Sequence, residues 1–115
     1  LLQRLQQKLG CALLFITHDQ GLAHVIGDRT AVMFGGQIVE EGKGVLERPL
    51  HPFTRTITSI PDSDLLPCTE PHETRTPGSC VYYQFCQEKT EKCLHNSEMR
   101  EYKGRRVRCH NIPHA

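Results

Sequence analysis

The sequence predicts an α/β fold followed by an irregular, cysteine-bearing tail. Three observations carry this. Helical and strand-like patterns alternate over the first 60 residues, apolar side chains are dense before Ile60 and sparse after it, and four of the six cysteines fall in the last third. A chain of 115 residues suffices for one small domain, and an apolar content of 37% allows only a modest core.

Leu2, Leu5 and Leu9 lie on one face of a helix, with Gln3, Arg4, Gln6, Gln7 and Lys8 on the other and Gly10 as its stop. The apolar run Ala12 to Thr17 predicts a short buried strand, which would place His18 at the carboxyl end of a sheet, where α/β folds bind ligands. Asp19 is suited to cap a second helix from Gln20 to about Ile26, with Leu22, Val25 and Ile26 inward. Thr30 to Phe34 and Gln37 to Glu41, joined by Gly35-Gly36, predict a hairpin whose turn needs positive φ. Val45 to Arg48 is a short helical candidate ended by Pro49. Pro52 opens a further helix through Ser59, which Pro61 closes. Asp62 to Ser79, rich in Asp, Glu, Thr and Pro, reads as a linker. Residues 80–115 hold few large apolar side chains, so a tail this small needs a staple, and its four cysteines are the obvious one.

A net charge of +1 gives no reason to expect nucleic acid or anionic lipid as a general partner. Residues 1–67 carry 6 Lys+Arg against 7 Asp+Glu, and residues 68–115 carry 8 against 6, so the small basic excess sits with the cysteines. No apolar run approaches the roughly 20 residues of a membrane span. Arg4 and Lys8 interrupt the start, which argues against a signal peptide. The chain opens without Met inside a helical pattern, which reads as a fragment. A cytosolic origin argues against structural disulfides.

The ordered series CALLFITHD, DRTAVMFGGQIVEEG, PLHPFT followed by Ile60-Pro61, and GSCVYYQFCQEKTEKC…RRVRCH resembles the C-terminal part of the ATP-binding subunit of oligopeptide/dipeptide-type ABC importers. THD alone is a weak motif; the series is specific and covers Leu1 to about Pro113. The resemblance implies residues 1–61 as the end of the nucleotide-binding domain, 62–79 as a linker and 80–115 as the importers' cysteine-containing extension. It implies that His18 is the switch histidine, which contacts the γ-phosphate of ATP and helps hold the attacking water. Phosphoryl transfer depends mostly on positioning and electrostatics, and a histidine donor there would stabilise developing charge. Asp19 reads as a helix cap and not as a base. No phosphate loop of the form G-x-x-x-x-G-K-[ST] occurs in the chain, nor do a signature motif or a Walker B strand. The intact subunit would thus be a transport ATPase using ATP with Mg, and this stretch alone would not hydrolyse ATP. The implied partners are a second ATPase subunit, two transmembrane permease subunits and, indirectly, an extracytoplasmic solute-binding protein, with no nucleic acid. The implied place is the cytoplasmic face of the membrane, held peripherally.

Cys80, Cys86, Cys93 and Cys109 are separated by five, six and fifteen residues. The spacing matches neither the C-x₂-C pair of a usual zinc site nor the tight run of bacterial ferredoxins. Four unlinked thiols are the plain alternative. Thiolates are metal ligands, and Lys89, Lys92, Arg105, Arg106 and Arg108 lie near them in sequence, where they could compensate an anionic cluster. The resemblance implies a [4Fe-4S] cluster on these four positions with a structural role; zinc is the alternative. Cys11 reads as a small core residue, and Cys68 has no assigned partner. His51 reads as ordering a turn. His95 and His110 adjoin cysteines and could replace one as a ligand, while His24, His72 and His114 read as surface residues. The chain departs from the importer pattern at Gln87, which stands where a proline is usual, and at Arg105 or Arg106, which stands where a histidine often precedes VRC. Two other readings remain open at this point: a freestanding Cys₄ zinc module acting in binding, and an iron–sulfur electron carrier.

Overall fold

The computed structural model describes residues 1–59, 78–95 and 97–111. In order these form α1 (Leu2–Leu9), α2 (Gln20–Ile26), β1 (Thr30–Phe34), β2 (Gln37–Gly42), α3 (Pro52–Ser59), α4 (Lys92–His95), β3 (Arg100–Tyr102) and β4 (Arg105–Val107). The linker expected at 62–79 lies almost wholly outside the described residues, as do Cys68, His72 and His114.

Local chemistry sets the ends of the first elements. Gly10 ends α1 in the left-handed region, at φ 63°, and its N–H bonds to the Gln6 carbonyl. The Asp19 carboxylate accepts the Leu22 N–H at 3.0 Å and so caps α2 as expected. Gly35 and Gly36, at φ 57° and 80°, supply the two positive-φ positions of the β1–β2 turn. A register shift between Val32 and Met33 interrupts the ladder.

All four strands form one antiparallel sheet in the order β1-β2-β4-β3. The tail is therefore less irregular than its sequence suggests. Its last part is a second hairpin, and β4 pairs with β2 through Glu40↔Val107 and Glu41↔Arg106. Gly42 permits this. A Cβ there would lie 2.8 Å from Arg105 Cγ and 3.2 Å from Arg105 Cα, and the residue's φ of 140° already disfavours any side chain.

The core gathers on this sheet. Val32, Phe34, Val39 and Val45 pack with Val81 and Tyr82 of the tail, and Phe53 and Ile57 of α3 close over them. Phe34 is its centre: its ring lies 4.7 Å from Phe53, 5.2 Å from Tyr82 and 5.9 Å from Phe85. Such tilted and edge-on contacts contribute beyond burial alone.

Four expectations are corrected. Ala12 to Thr17 is neither a strand nor buried, and Leu14 and Ile16 are each 88% exposed. A parallel core strand is held by ladders on its flanks, and no described strand lies beside this run. For the same reason Cys11 is exposed and not a core residue, and Leu22 and Val25 of α2 face outward. Val45 to Arg48 makes a single turn, closed by Arg48 N–H on the Gly44 carbonyl at 3.0 Å, and not a helix.

Candidate functional site

Cys80, Cys86, Cys93 and Cys109 line one cavity, together with His51, Tyr82 and Arg108. Short local turns bring the thiols there. Tyr83 N–H bonds back to the Cys80 carbonyl, and Phe85 N–H to that of Tyr82, so the chain coils tightly from Cys80 to Cys86. Cys80 N–H donates to the Cys93 carbonyl at 2.7 Å, which clips the first cysteine to α4. Cys109 follows β4, whose pairing with β2 carries it back to the same place.

Electrostatics tie the four together. Burial pushes the Cys80, Cys86 and Cys109 thiols upward, and neighbouring cysteines push in the same direction: Cys93 and Cys86 on Cys80, Cys93 on Cys86, and all three on Cys109. Each is opposed by a backbone N–H two residues on, from Tyr82, Glu88 and Asn111 respectively. The last is explicit as Asn111 N–H to Cys109 Sγ at 3.4 Å. These thiols would repel one another as thiolates, and three of them are furnished with N–H donors. Among the described residues, no three His, Cys, Asp or Glu side chains converge as ligands of one metal ion. The thiols share a cavity without meeting at a point, and all five described cysteines are free.

The basic residues divide differently from their sequence positions. Arg108 and Lys89 line the cavity, and Arg108 favours the Cys80 thiolate. Arg105 and Arg106 serve the fold instead: Arg105 approaches Glu40 at 3.6 Å and donates to the Gly44 and Arg48 carbonyls, and Arg106 pairs with Glu41 at 2.9 Å. A cation that sequence did not single out comes from α3. Arg55 pairs with Glu88 and favours the Cys86 thiolate.

Glu40 and the depth of His51 were also missed. Glu40 is fully buried, accepting the Leu50 N–H at 3.0 Å and the His51 N–H at 2.8 Å. It thereby holds the turn before α3. His51 does order that turn, as expected: its Nδ1 accepts the Phe53 N–H at 3.0 Å, capping α3. It is also 1% exposed, which no local pattern signalled. Burial, with the charge of Arg55, lowers its pKa to about 4, while the Arg108 carbonyl favours a proton on the ring. His110 lines the cavity and its Nδ1 lies 2.9 Å from an Arg100 guanidinium nitrogen, whereas His95 is exposed and does not line the cavity. His24 is exposed and 3.4 Å from Glu47, a surface pair.

His18 stands apart. It is exposed at a bend between the apolar run and α2, and does not line the cysteine cavity. The Thr17 hydroxyl accepts the Asp19 N–H at 2.9 Å, so the THD turn is shaped locally.

No family model matches the chain. Individual relatives do. Over 96% of its length the chain is 34% identical to the oligopeptide transport ATP-binding protein YkfD of Bacillus subtilis. Over 75% it is 39% identical to the oligopeptide transport ATP-binding protein OppF of Escherichia coli K12. Over 95% it is 32% identical to a peptide import ATP-binding protein of Brucella melitensis. These matches take in 38%, 30% and 36% of the relatives, so the chain spans about a third of their length. With its α/β elements, the chain is thus homologous to the C-terminal part of the ATP-binding proteins of oligopeptide-type ABC importers.

Proposed function

We propose that this chain is the closing part of a subunit that couples ATP hydrolysis to import of peptides. The carrying observation is the match along nearly the whole chain to peptide-import ATP-binding proteins. In that subunit His18 donates a hydrogen bond to the γ-phosphate of ATP, bound with Mg, and senses its presence. The exposure of His18 supports this, since a side chain already engaged in the core could not reach a nucleotide. The phosphate cradle is supplied by other parts of the subunit. The partners are a second ATPase subunit and two transmembrane permeases, fed by a solute-binding protein, with attachment at the cytoplasmic face. Among the described residues no helix is long and apolar enough to cross a membrane.

Cys80, Cys86, Cys93 and Cys109 would hold a [4Fe-4S] cluster. Four thiols around one cavity, three with N–H donors and with Arg108 at hand, suit it. Zinc held by the same four thiolates, with Zn–S bonds of about 2.3 Å, is the alternative. Bound, the cluster would cross-link the turn from Cys80 to Cys86, α4 and the end of β4.

The test uses the full-length gene product. His18→Ala should lower the ATP turnover rate on the order of 100-fold or more, in the manner of a lost transition-state donor, with ATP affinity nearly unchanged. Equal loss in both, or in neither, argues against the γ-phosphate contact. Anaerobic preparations should carry about four irons per chain, as four-cysteine ligation requires. Stoichiometric zinc without iron would replace the cluster with the zinc reading, and an empty set of titratable thiols would remove both.

A further inference from the structure

His18 sits in a turn whose shape is set locally. The Thr17 hydroxyl accepts the Asp19 N–H at 2.9 Å, and the Asp19 carboxylate accepts the Leu22 N–H at 3.0 Å. Both bonds lie within residues 17–22, so they fix the form of the turn and not its place. Burial does not fix the place either, since α2 has no buried residue. Gln20, Ala23 and Ile26 are half-buried, on one face of the helix.

A side chain from that face makes the connection. Gln20 Nε2 donates to the Ile57 carbonyl at 2.8 Å, in a part-buried bond that spans 37 residues of sequence. Ile57 lies in the last turn of α3, where carbonyls lack intrahelical donors. The residue four positions on, whose amide would serve it in a longer helix, is Pro61, which has no N–H. The Gln20 amide supplies the donor that the sequence withholds there. A second link from α2, His24 with Glu47 at 3.4 Å, has both partners more than half exposed and holds weakly.

We propose that Gln20 is a positioning residue for ATP hydrolysis: its bond to α3 fixes where the first turn of α2 carries His18 relative to the sheet and tail. This rests on the reading of His18 as the γ-phosphate donor. The chemistry accounts for the residue type. An ionised Glu has the same length but only accepts, and Met has the same length and no N–H, whereas Gln and Lys both donate.

The experiment uses full-length wild type, Gln20→Met, Gln20→Lys, His18→Ala and the double variant Gln20→Met with His18→Ala. ATP turnover rate, ATP affinity and hydrogen exchange at the Leu22 amide are read for each. Gln20→Met should lower turnover on the order of ten-fold or more, the scale on which misplaced reacting groups act. Its ATP affinity and Leu22 protection should stay as in wild type, because the phosphate cradle and the Asp19 cap are untouched. Gln20→Lys should recover most of the turnover. In the His18→Ala background Gln20→Met should cost nothing further, because two residues that act as one unit are not additive. Wild-type turnover in Gln20→Met, no recovery in Gln20→Lys, or an undiminished loss in the double variant would each overturn the proposal. So would a loss of turnover matched by equal losses of affinity and Leu22 protection, which marks a purely structural role. If His18→Ala alone turns over ATP as wild type does, the reading of His18 fails first, and this proposal with it.

Discussion

Residues 1–29 and the unit built from residues 30–59 and 78–111 obey different physics. The first region has two helices whose ends are set by Gly10 and Asp19, yet none of its residues is buried. The second places Val39, Val45 and Val107 at 0–1% exposure on a sheet whose strands come from opposite ends of the chain. Formation of an element needs only its own sequence and caps. Burial needs a surface to pack against, and among the described residues only the second region has one.

Core truncation should break that comparison most visibly. Phe34→Ala removes the ring on which Phe53, Tyr82 and Phe85 converge and should destabilise the sheet unit by about 3–5 kcal/mol. Leu9→Ala in α1, at 74% exposure, should change stability by less than about 0.5 kcal/mol. Denaturant melts of the two variants give both values, and similar losses would show that α1 is packed as firmly as the sheet.

Next in size is Glu40→Ala, which frees the Leu50 and His51 N–H groups and strips Arg105 of its buried carboxylate. A loss of about 3 kcal/mol is expected, at the low end for a broken buried pair because Arg105 keeps the Gly44 and Arg48 carbonyls. Amide exchange should rise in β4 as well as at residues 50–51. A rise confined to the turn would mean that Arg105 does not bind tail to hairpin through Glu40.

Acid sharpens the contrast through His51. Its folded pKa, about 4, lies below the ordinary histidine value of 6.5, so protonation is favoured in the unfolded chain. Its share of stability is fully present above pH 6.5 and is lost as pH falls from 6.5 towards 4, to a limit of about 3 kcal/mol. Stability measured across that window should slope for wild type and flatten for His51→Asn. Equal slopes would place the titration elsewhere. The smallest effect belongs to the first region. Asp19→Ala removes the α2 cap and should cost about 1 kcal/mol of local helix stability, read from amide exchange at Leu22, while β1 and β2 stay unchanged.

Legibility in the sequence follows the same division. Asp19, the Gly35-Gly36 turn and Pro52 at the start of α3 were readable because each acts within a few residues of itself. The run Ala12 to Thr17 misled because its apolar pattern records a demand for burial and says nothing of whether a neighbour meets it. The four thiols were identifiable as a set, but not the share of the two chain segments in their cavity. Arg105 and Arg106 seemed to belong to the cysteines, since sequence proximity cannot tell that β4 presents them to Glu40 and Glu41. Arg55 and Glu40 carried no local mark, because Glu88 lies 33 residues beyond Arg55 and the Glu40 partners Leu50 and His51 lie 10 and 11 residues on, with Arg105 far beyond them.

By itself the sequence determined the helix caps, the hairpin turn, the kinship with peptide-import ATP-binding proteins and the four candidate ligands. All depend on short-range stereochemistry or on the order of motifs. Only the tertiary structure decided that the tail completes the hairpin's sheet, that a buried glutamate ties them together, and that His51 faces the thiols. Those features arise from contacts between segments more than 50 residues apart, as between Glu40 and Arg105, and no periodicity encodes such a meeting.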